Sequence, residues 1–271
     1  MTDLRAAHQP RKRFGQHFLH ERGVIERILL ALAPLPGQRI VEIGPGEGAL
    51  TLPLLARCGQ LTAIELDRDL IPRLAAAAHA VGALELIEAD VLGVDFHALA
   101  AGTPLRVVGN LPYNISTPLL FHLLEHADSI ADMHFMLQKE VVDRIVAEPG
   151  SRTFGRLSVM VQARAEVESL FKVLPGSFRP PPKVDSAVIR ITPKSAAELA
   201  GIDFDALARI VRAAFGQRRK TLANALRDIK SPDQLHAAGI DPRLRAEAVP
   251  LDGWLRLCSS AAEPVAGVRE G

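Results

Sequence analysis

The sequence of 271 residues is poor in cysteine and aromatic residues. Two cysteines, Cys58 and Cys258, are too few for a disulfide framework and predict reduced thiols. No uncharged apolar stretch reaches the roughly 18 residues of a membrane span, and the amino terminus lacks the apolar core of a secretion signal. No His/Cys cluster has metal-ligand spacing. We therefore expect a cytoplasmic protein with no membrane partner and no metal site.

The net charge is +1 at pH 7, so the total charge alone does not predict a nucleic-acid partner. The charge is unevenly distributed, with four basic residues against one acidic in residues 1–13 and seven against three in residues 203–230. Two basic clusters on a nearly neutral chain predict contact with a polyanion, although short clusters also occur on ordinary solvated surfaces. The predicted phosphate contacts are Arg11, Lys12, Arg13, Arg218, Arg219 and Lys220.

Short apolar runs alternate with amphipathic segments up to about residue 190. The runs predict strands at Arg39–Ile43, Leu61–Glu65, Leu84–Glu88, Leu105–Gly109, Met133–Gln138, Val167–Val173 and Ser186–Ile191. The amphipathic segments predict helices near 22–33, 48–57, 68–79, 116–125, 139–147 and 155–163. Repeated strand–helix alternation predicts an α/β fold, with a parallel sheet covered on both faces.

The chain changes character after Pro193. Just before, residues 175–183 contain four prolines, which exclude a helix or a central strand there. Beyond it, the pattern is wholly helical, with segments near 203–215, 218–229, 231–237 and 250–261. We therefore expect two domains, residues 1–193 and a small helical domain of residues 194–271.

A glycine-rich loop, GPGEGA at residues 44–49, follows the first predicted strand. It satisfies the weak dinucleotide pattern G-x-G-x-x-A. However, Pro45 has no N–H to donate and Glu47 adds negative charge, so the loop disfavours a pyrophosphate. A cationic cofactor without phosphate suits it better, and S-adenosylmethionine is such a cofactor.

Polar residues stand at the ends of the next three predicted strands. Glu65 ends the second strand, Asp90 follows the third and Asn110 follows the fourth. Singly, each is also an ordinary cap or surface residue. Together with Gly44 they predict one binding rim, because open parallel sheets bind ligands at the carboxyl ends of their strands. There Glu65 can accept from ribose hydroxyls and Asp90 from an adenine amino group.

Residues 108–113 read VGNLPY, and Tyr113 is the only tyrosine of the chain. The Asn110 amide can hydrogen-bond an exocyclic amine, Pro112 stiffens the loop, and the Tyr113 ring can stack on a base. An ordinary turn with a half-buried tyrosine also explains this segment, because Asn and Pro are common in turns.

Seven segments carry a family resemblance: RKRFGQHFL (11–19), VEIGPGEGALT (41–51), AIELDRDL (63–70), NLPYNISTPLLFHLL (110–124), MHFMLQKEVVDRI (133–145), FRPPPKVDSAV (178–188) and FGQRRKTLANAL (215–226). Through them the chain resembles the bacterial small-subunit (16S) ribosomal RNA adenine-N6 dimethyltransferases, whose loss gives kasugamycin resistance. The resemblance runs in order from about residue 10 to about residue 250.

The resemblance implies a class I, Rossmann-like S-adenosylmethionine-dependent methyltransferase fold with a seven-stranded mixed sheet. It makes residues 1–193 the catalytic domain and residues 194–271 a helical domain that contacts ribosomal RNA. It implies two successive methylations on each of two adjacent adenosines near the 3′ end of 16S rRNA, in a pre-30S particle. We expect a monomer.

The resemblance also implies site residues. The family's cofactor contacts fall on His17, Leu19, Gly44, Glu65, Asp90 and Asn110. His17 departs from the family's usual Asn, and the contact at Leu19 is through the backbone. The implied catalytic group is Asn110, Leu111, Pro112, Tyr113 and Phe178. We expect the Asn110 side-chain oxygen and the Leu111 carbonyl to accept the two N6 hydrogens, with the base between Tyr113 and Phe178.

Three other functions are compatible with parts of the pattern. A related methyltransferase acting on 23S rRNA and giving macrolide resistance would share the rim residues. A nicotinamide dehydrogenase would share the glycine loop, but it would have no use for Pro45 or for residues 110–113. A non-enzymatic assembly factor that tests the maturity of the particle is compatible with methylation as well.

Overall fold

The computed structural model describes residues 17–259. Its strands are β1 (Phe18–Leu19), β2 (Ile40–Ile43), β3 (Gln60–Glu65), β4 (Ala83–Glu88), β5 (Leu105–Asn110), β6 (Ile130–Gln138), β7 (Ala165–Val173), β8 (Phe178–Arg179) and β9 (Ser186–Pro193). Its helices are α1 (Arg22–Leu32), α2 (Thr51–Cys58), α3 (Ile71–Ala78), α4 (Phe96–Ala100), α5 (Ser116–Glu125), α6 (Lys139–Ile145), α7 (Arg156–Gln162), α8 (Ala196–Leu199), α9 (Phe204–Gly216), α10 (Leu222–Ala225), α11 (Pro232–Ala237) and α12 (Leu251–Cys258).

Seven strands form one mixed sheet in the order β4-β3-β2-β5-β6-β9-β7. The first five in this order are parallel, and β9 runs antiparallel to both β6 and β7. Each of the seven predicted strands is present. The predicted seven-stranded mixed sheet is confirmed, with β2 and β5 adjacent near its centre.

Helix α1 illustrates how the pattern of apolar residues fixes the packing. Val24, Ile25, Ile28, Leu29 and Leu32 recur at helical spacing, and all five are buried. They join one apolar cluster with side chains of α2 and of the central strands. All four residues of β2 and four of the six residues of β5 are buried. Because successive side chains in a strand point to opposite faces, the centre of the sheet is covered on both faces.

The chain divides into two compact units. One contains the residues up to Asp143 together with Ala165–Pro193, and the other contains Arg144–Arg164 and the residues from Lys194 onward. Residues 144–164 thus leave the predicted 1–193 domain. The reason is local packing, because α7 contacts α9 and α12, and Gln162 Nε2 donates to the carbonyls of Ile145 and Ala147 at 2.7 and 2.9 Å.

The predicted helix 218–229 is much shorter in the structure, where only α10 (Leu222–Ala225) is helical. The backbone N–H groups of Leu222 and Ala223 donate to the carbonyls of Leu244 and Pro242, at 2.8 and 3.0 Å. This tertiary pairing replaces a preceding helical turn. No helix within residues 17–259 has the length and apolarity that crossing a membrane requires.

Candidate active site

The carboxyl ends of β2, β3, β4 and β5 open onto a cavity of about 210 Å³. All six predicted cofactor contacts line it: His17, Leu19, Gly44, Glu65, Asp90 and Asn110. Leu111, Pro112 and Tyr113 line it as well. Residues that are far apart in the chain therefore share one wall, because parallel strands bring their ends to the same edge.

The glycine loop lies close under a phenylalanine. Gly46 has φ +57°, a conformation that suits glycine, and a Cβ placed on it would lie 3.0 Å from the Phe18 ring. At the end of β5, a Cβ on Gly109 would lie 2.5 Å from the Ile43 carbonyl oxygen. These close approaches keep side chains away from the floor of the cavity.

Glu65 ties the end of β3 to the glycine loop. Its Oε2 accepts from the Gly46 N–H at 3.2 Å and its Oε1 from the Asp67 N–H at 2.8 Å. Burial raises the pKa of Glu65, and these backbone bonds lower it. Each oxygen keeps a second lone pair with which to accept from a ligand.

Glu42 is a site residue that the sequence reasoning missed. It lies in β2, is 2% exposed and lines the cavity, but its Oε2 has no hydrogen-bond partner among the described residues. Burial raises its pKa to about 8; the Thr51 hydroxyl opposes this and the Glu65 carboxylate adds to it. The available signal was a carboxylate inside the apolar run of residues 40–43.

Asp90 has a structural task in addition to its place in the cavity wall. Its Oδ1 accepts from the Leu92 N–H at 3.0 Å and caps a short 3-10 turn at Val91–Gly93. The side chain is exposed at the rim. The ordinary cap and the rim position therefore coexist in one residue.

Asn110 is held by the chain segment that precedes α1. Its Nδ2 donates to the His17 carbonyl at 2.8 Å. Because a carbonyl only accepts, this bond fixes which way the amide faces and leaves Oδ1 to accept from another group. The next peptide is fixed too, since the Leu111 N–H donates to the Met136 carbonyl at 3.1 Å.

Tyr113 contacts Ser186 through its hydroxyl and His17 through its ring. Its hydroxyl is 2.8 Å from Ser186 Oγ, and its ring stacks on His17 with centroids 5.7 Å apart and planes 29° apart. The His17 Nδ1–H donates to the Pro180 carbonyl at 2.8 Å. Burial raises the pKa of Tyr113, so the phenol stays neutral at physiological pH. No pattern in the sequence indicates that His17 contacts this ring.

Phe178 lies apart from the other predicted catalytic residues. It is 2% exposed, pairs in register with Leu19 across the small β1–β8 sheet, and belongs to the apolar cluster beneath. It does not line the cavity. Its stacking on a base is untested and stays a prediction.

The predicted phosphate contacts differ from one another. Arg218 pairs with Glu247 at 3.0 Å and also donates to the carbonyls of Arg152 and Phe154, so it ties its own unit together. Arg219 and Lys220 are exposed. Arg11, Lys12 and Arg13 lie outside the described residues.

The cavity suits a cation better than a phosphate. Four carboxyl side chains line it, Glu42, Glu47, Glu65 and Asp90, and no Lys or Arg does within residues 17–259. A pyrophosphate would find no basic partner there, whereas a sulfonium and an amino group would find acceptors. The mixed seven-stranded sheet and this acidic rim define a class I S-adenosylmethionine-dependent methyltransferase.

The comparisons with known proteins resolve the class further. The chain belongs to the ribosomal RNA adenine dimethylase family, whose model matches residues 7–263. It is 58% identical over 249 residues to a ribosomal RNA small subunit methyltransferase A of Xanthomonas campestris pv. campestris, covering 92% of this chain and 95% of that one.

Solved structures agree with this assignment. A dimethyladenosine transferase from Plasmodium falciparum has TM-score 0.78 and 26% identity, covering 89% of this chain and 96% of that one. The 23S rRNA methyltransferase ErmE has TM-score 0.72 and 28% identity, covering 89% and 97%.

Proposed function

We propose that this protein transfers methyl groups from S-adenosylmethionine to N6 of two adjacent adenosines near the 3′ end of 16S rRNA, giving N6,N6-dimethyladenosines. Family membership and the 58% identity to small subunit methyltransferases support the substrate. The observation that carries the chemistry is the Asn110 amide, whose nitrogen is held by the His17 carbonyl at the cavity wall.

The cofactor supplies an activated methyl group, so the protein need not supply a nucleophile. The difficulty lies in the acceptor, since the N6 lone pair of adenine is delocalised into the ring. Asn110 Oδ1 and the Leu111 carbonyl accept the two N6 hydrogens, which favours a tetrahedral nitrogen with a free lone pair. Tyr113 stacks on the base, and Pro112 stiffens the loop that carries these groups. Glu65, Asp90, Gly44, His17 and Leu19 hold the cofactor.

The RNA side of the proposal rests on charge. Arg11–Arg13, Arg219 and Lys220 bind phosphates, and the helical residues from Lys194 onward contact the ribosomal particle. Phosphate contacts position a protein without reading sequence, so the shape of the particle selects the target. We infer a monomer that acts on a pre-30S particle in the cytoplasm during subunit assembly, where it can also serve as a test of maturity.

The alternative substrate, 23S rRNA, is favoured by one observation, the likeness to ErmE at 28% identity. It is weaker support than 58% identity over 92% of the chain. The test is transfer of a tritiated methyl group from labelled cofactor to 30S subunits that lack the modification and, in a parallel reaction, to free 23S rRNA and 50S subunits, each followed by nucleoside analysis. Labelled dimethyladenosine in 16S rRNA supports the proposal; label confined to 23S rRNA or 50S subunits contradicts it.

A further inference from the structure

Glu42 has an unusual position for a carboxyl group. It is 2% exposed at the wall of the cavity, and its Oε2 has no hydrogen-bond partner among the described residues. A carboxylate that is buried away from water without a partner is strongly destabilised, so the group stays protonated unless a cation comes near.

The charged and titratable surroundings of Glu42 provide no such cation. Glu65 of β3 is the ionisable group that acts on it, and the Thr51 hydroxyl of α2 is a neighbouring polar group. The other titratable residues that line the cavity are His17, Glu47, Asp90, Tyr113 and His134. Burial lowers the pKa of His134 to about 4, so it is neutral at physiological pH. The partner that Glu42 lacks must therefore come from a ligand.

We propose that Glu42 senses the charge of the cofactor: it is protonated in the empty cavity, releases its proton to solvent when the cationic methyl donor binds, and takes a proton back from solvent once the donor has become a neutral thioether. This inference rests on the proposed use of S-adenosylmethionine. It requires nothing of the RNA.

The proton balance closes over one turnover. Breaking the sulfur–methyl bond and forming the nitrogen–methyl bond leaves a positive charge on N6, which is lost as one proton. Glu42 takes up one proton as the sulfonium charge disappears. The proton that Glu42 releases when the donor binds is balanced by the one it takes back, so the net release over a turnover is the single proton lost from N6. The carboxylate thus holds the donor and loosens the product, because only the donor offsets its charge.

The experiment is titration calorimetry of the full chain without RNA, at pH 7 in two buffers of different ionisation enthalpy. The probes are S-adenosylmethionine and S-adenosylhomocysteine. For the unaltered protein we expect release of nearly one proton with the donor and nearly none with the product. Donor affinity should rise up to about tenfold per pH unit between pH 6 and 8, where the group titrates.

Two matched variants locate the effect. Glu42→Gln removes the group and should abolish the proton release, weaken donor binding about tenfold or more, and leave product binding nearly unchanged. Retained product binding also shows that the variant is folded. Glu47→Gln removes an exposed carboxylate from the same cavity and should keep the proton release. Protons released by the ligand itself contribute equally for all three proteins. The difference in proton release between the proteins therefore measures the contribution of Glu42.

The proposal is overturned if donor binding to Glu42→Gln releases as many protons as donor binding to the unaltered protein. It is equally overturned if the unaltered protein releases the same number of protons with the donor as with the product. It is also overturned if neither probe binds the unaltered protein. Failure of methyl transfer to 30S subunits, with the proton release intact, would contradict the proposed RNA substrate and leave the role of Glu42 standing.

Discussion

At the scale of single residues, Asn110 shows how a catalytic orientation is fixed by a backbone atom. Its Nδ2 is held by the His17 carbonyl at 2.8 Å, and that carbonyl can only accept a hydrogen bond. The amide therefore cannot turn over without losing this bond. A group that is already oriented when the substrate binds does not have to reorganise during the reaction. Hydrogen bonds positioned in advance accelerate a reaction for this reason.

For Asn110→Ala we expect methyl transfer to fall about 100-fold or more, the size of effect seen on removing one positioned polar group. Single-turnover transfer to 30S subunits, with saturating cofactor and enzyme, measures it. RNA binding, followed by filter retention, should change little. A variant with a near-normal rate would contradict the assigned role of the amide.

Glu42 predicts a stability that depends on pH. Its folded-state pKa of about 8 lies above the ordinary 4.5. The stabilising contribution of the protonated form is therefore complete below pH 4.5 and is lost as the pH rises to about 8. The Glu42→Gln variant has no group that ionises at this position. Without ligand, its free energy of unfolding relative to that of the unaltered protein should therefore rise by about 1.4 kcal/mol per pH unit through this range. Urea denaturation at pH 5, 6.5 and 8 tests this; a difference that is constant with pH would be inconsistent with it.

At the scale of elements, the sequence pattern predicts the longer strands correctly and misses the shortest ones. The strands from β2 to β6 were predictable because each has four or more residues, at least half of them apolar. Strands β1 and β8 have two residues each and so carry no periodic signal. Yet β1 positions His17 and Phe18 over the site. The contact from His17 to Asn110 uses a backbone carbonyl, which every residue type has, so it could not be predicted from the residue type.

The glycine loop allows a prediction at this scale, with a control in the same unit. Gly46 and Gly102 both have positive φ, +57° and +82°. A Cβ on Gly46 would meet the Phe18 ring at 3.0 Å, whereas one on Gly102 would have no atom within 4 Å. We expect Gly46→Ala and Gly102→Ala each to cost about 1 kcal/mol of stability. Only Gly46→Ala should also weaken cofactor binding, because it displaces β1.

Thermal unfolding and cofactor titration of both variants measure these effects. Equal loss of cofactor affinity in the two variants would show that backbone strain, rather than the position of Phe18 over the loop, was responsible.

At the scale of the whole molecule, the net charge of +1 does not show that basic residues of the same cluster have different roles. Arg218 was predicted to contact phosphate, but its guanidinium is bound to Glu247 and to two carbonyls. Its neighbours Arg219 and Lys220 are exposed. A cluster counted from the sequence therefore contains both a structural tie and solvent-facing charges, and only three-dimensional contacts separate them.

Replacing Arg219 and Lys220 together by Ala should weaken binding to 30S subunits at low salt. It should also lower the slope of log affinity against log salt by about 2, since each phosphate contact contributes about 1. Cofactor affinity should stay the same. Arg243→Ala is the control: its side chain is exposed but pairs with Asp241 at 2.9 Å, and removing it should leave the slope unchanged. Binding measured between 50 and about 200 mM salt decides the matter. If the double variant keeps the original slope, these residues form an ordinary solvated surface, and the phosphate contacts of the protein lie elsewhere.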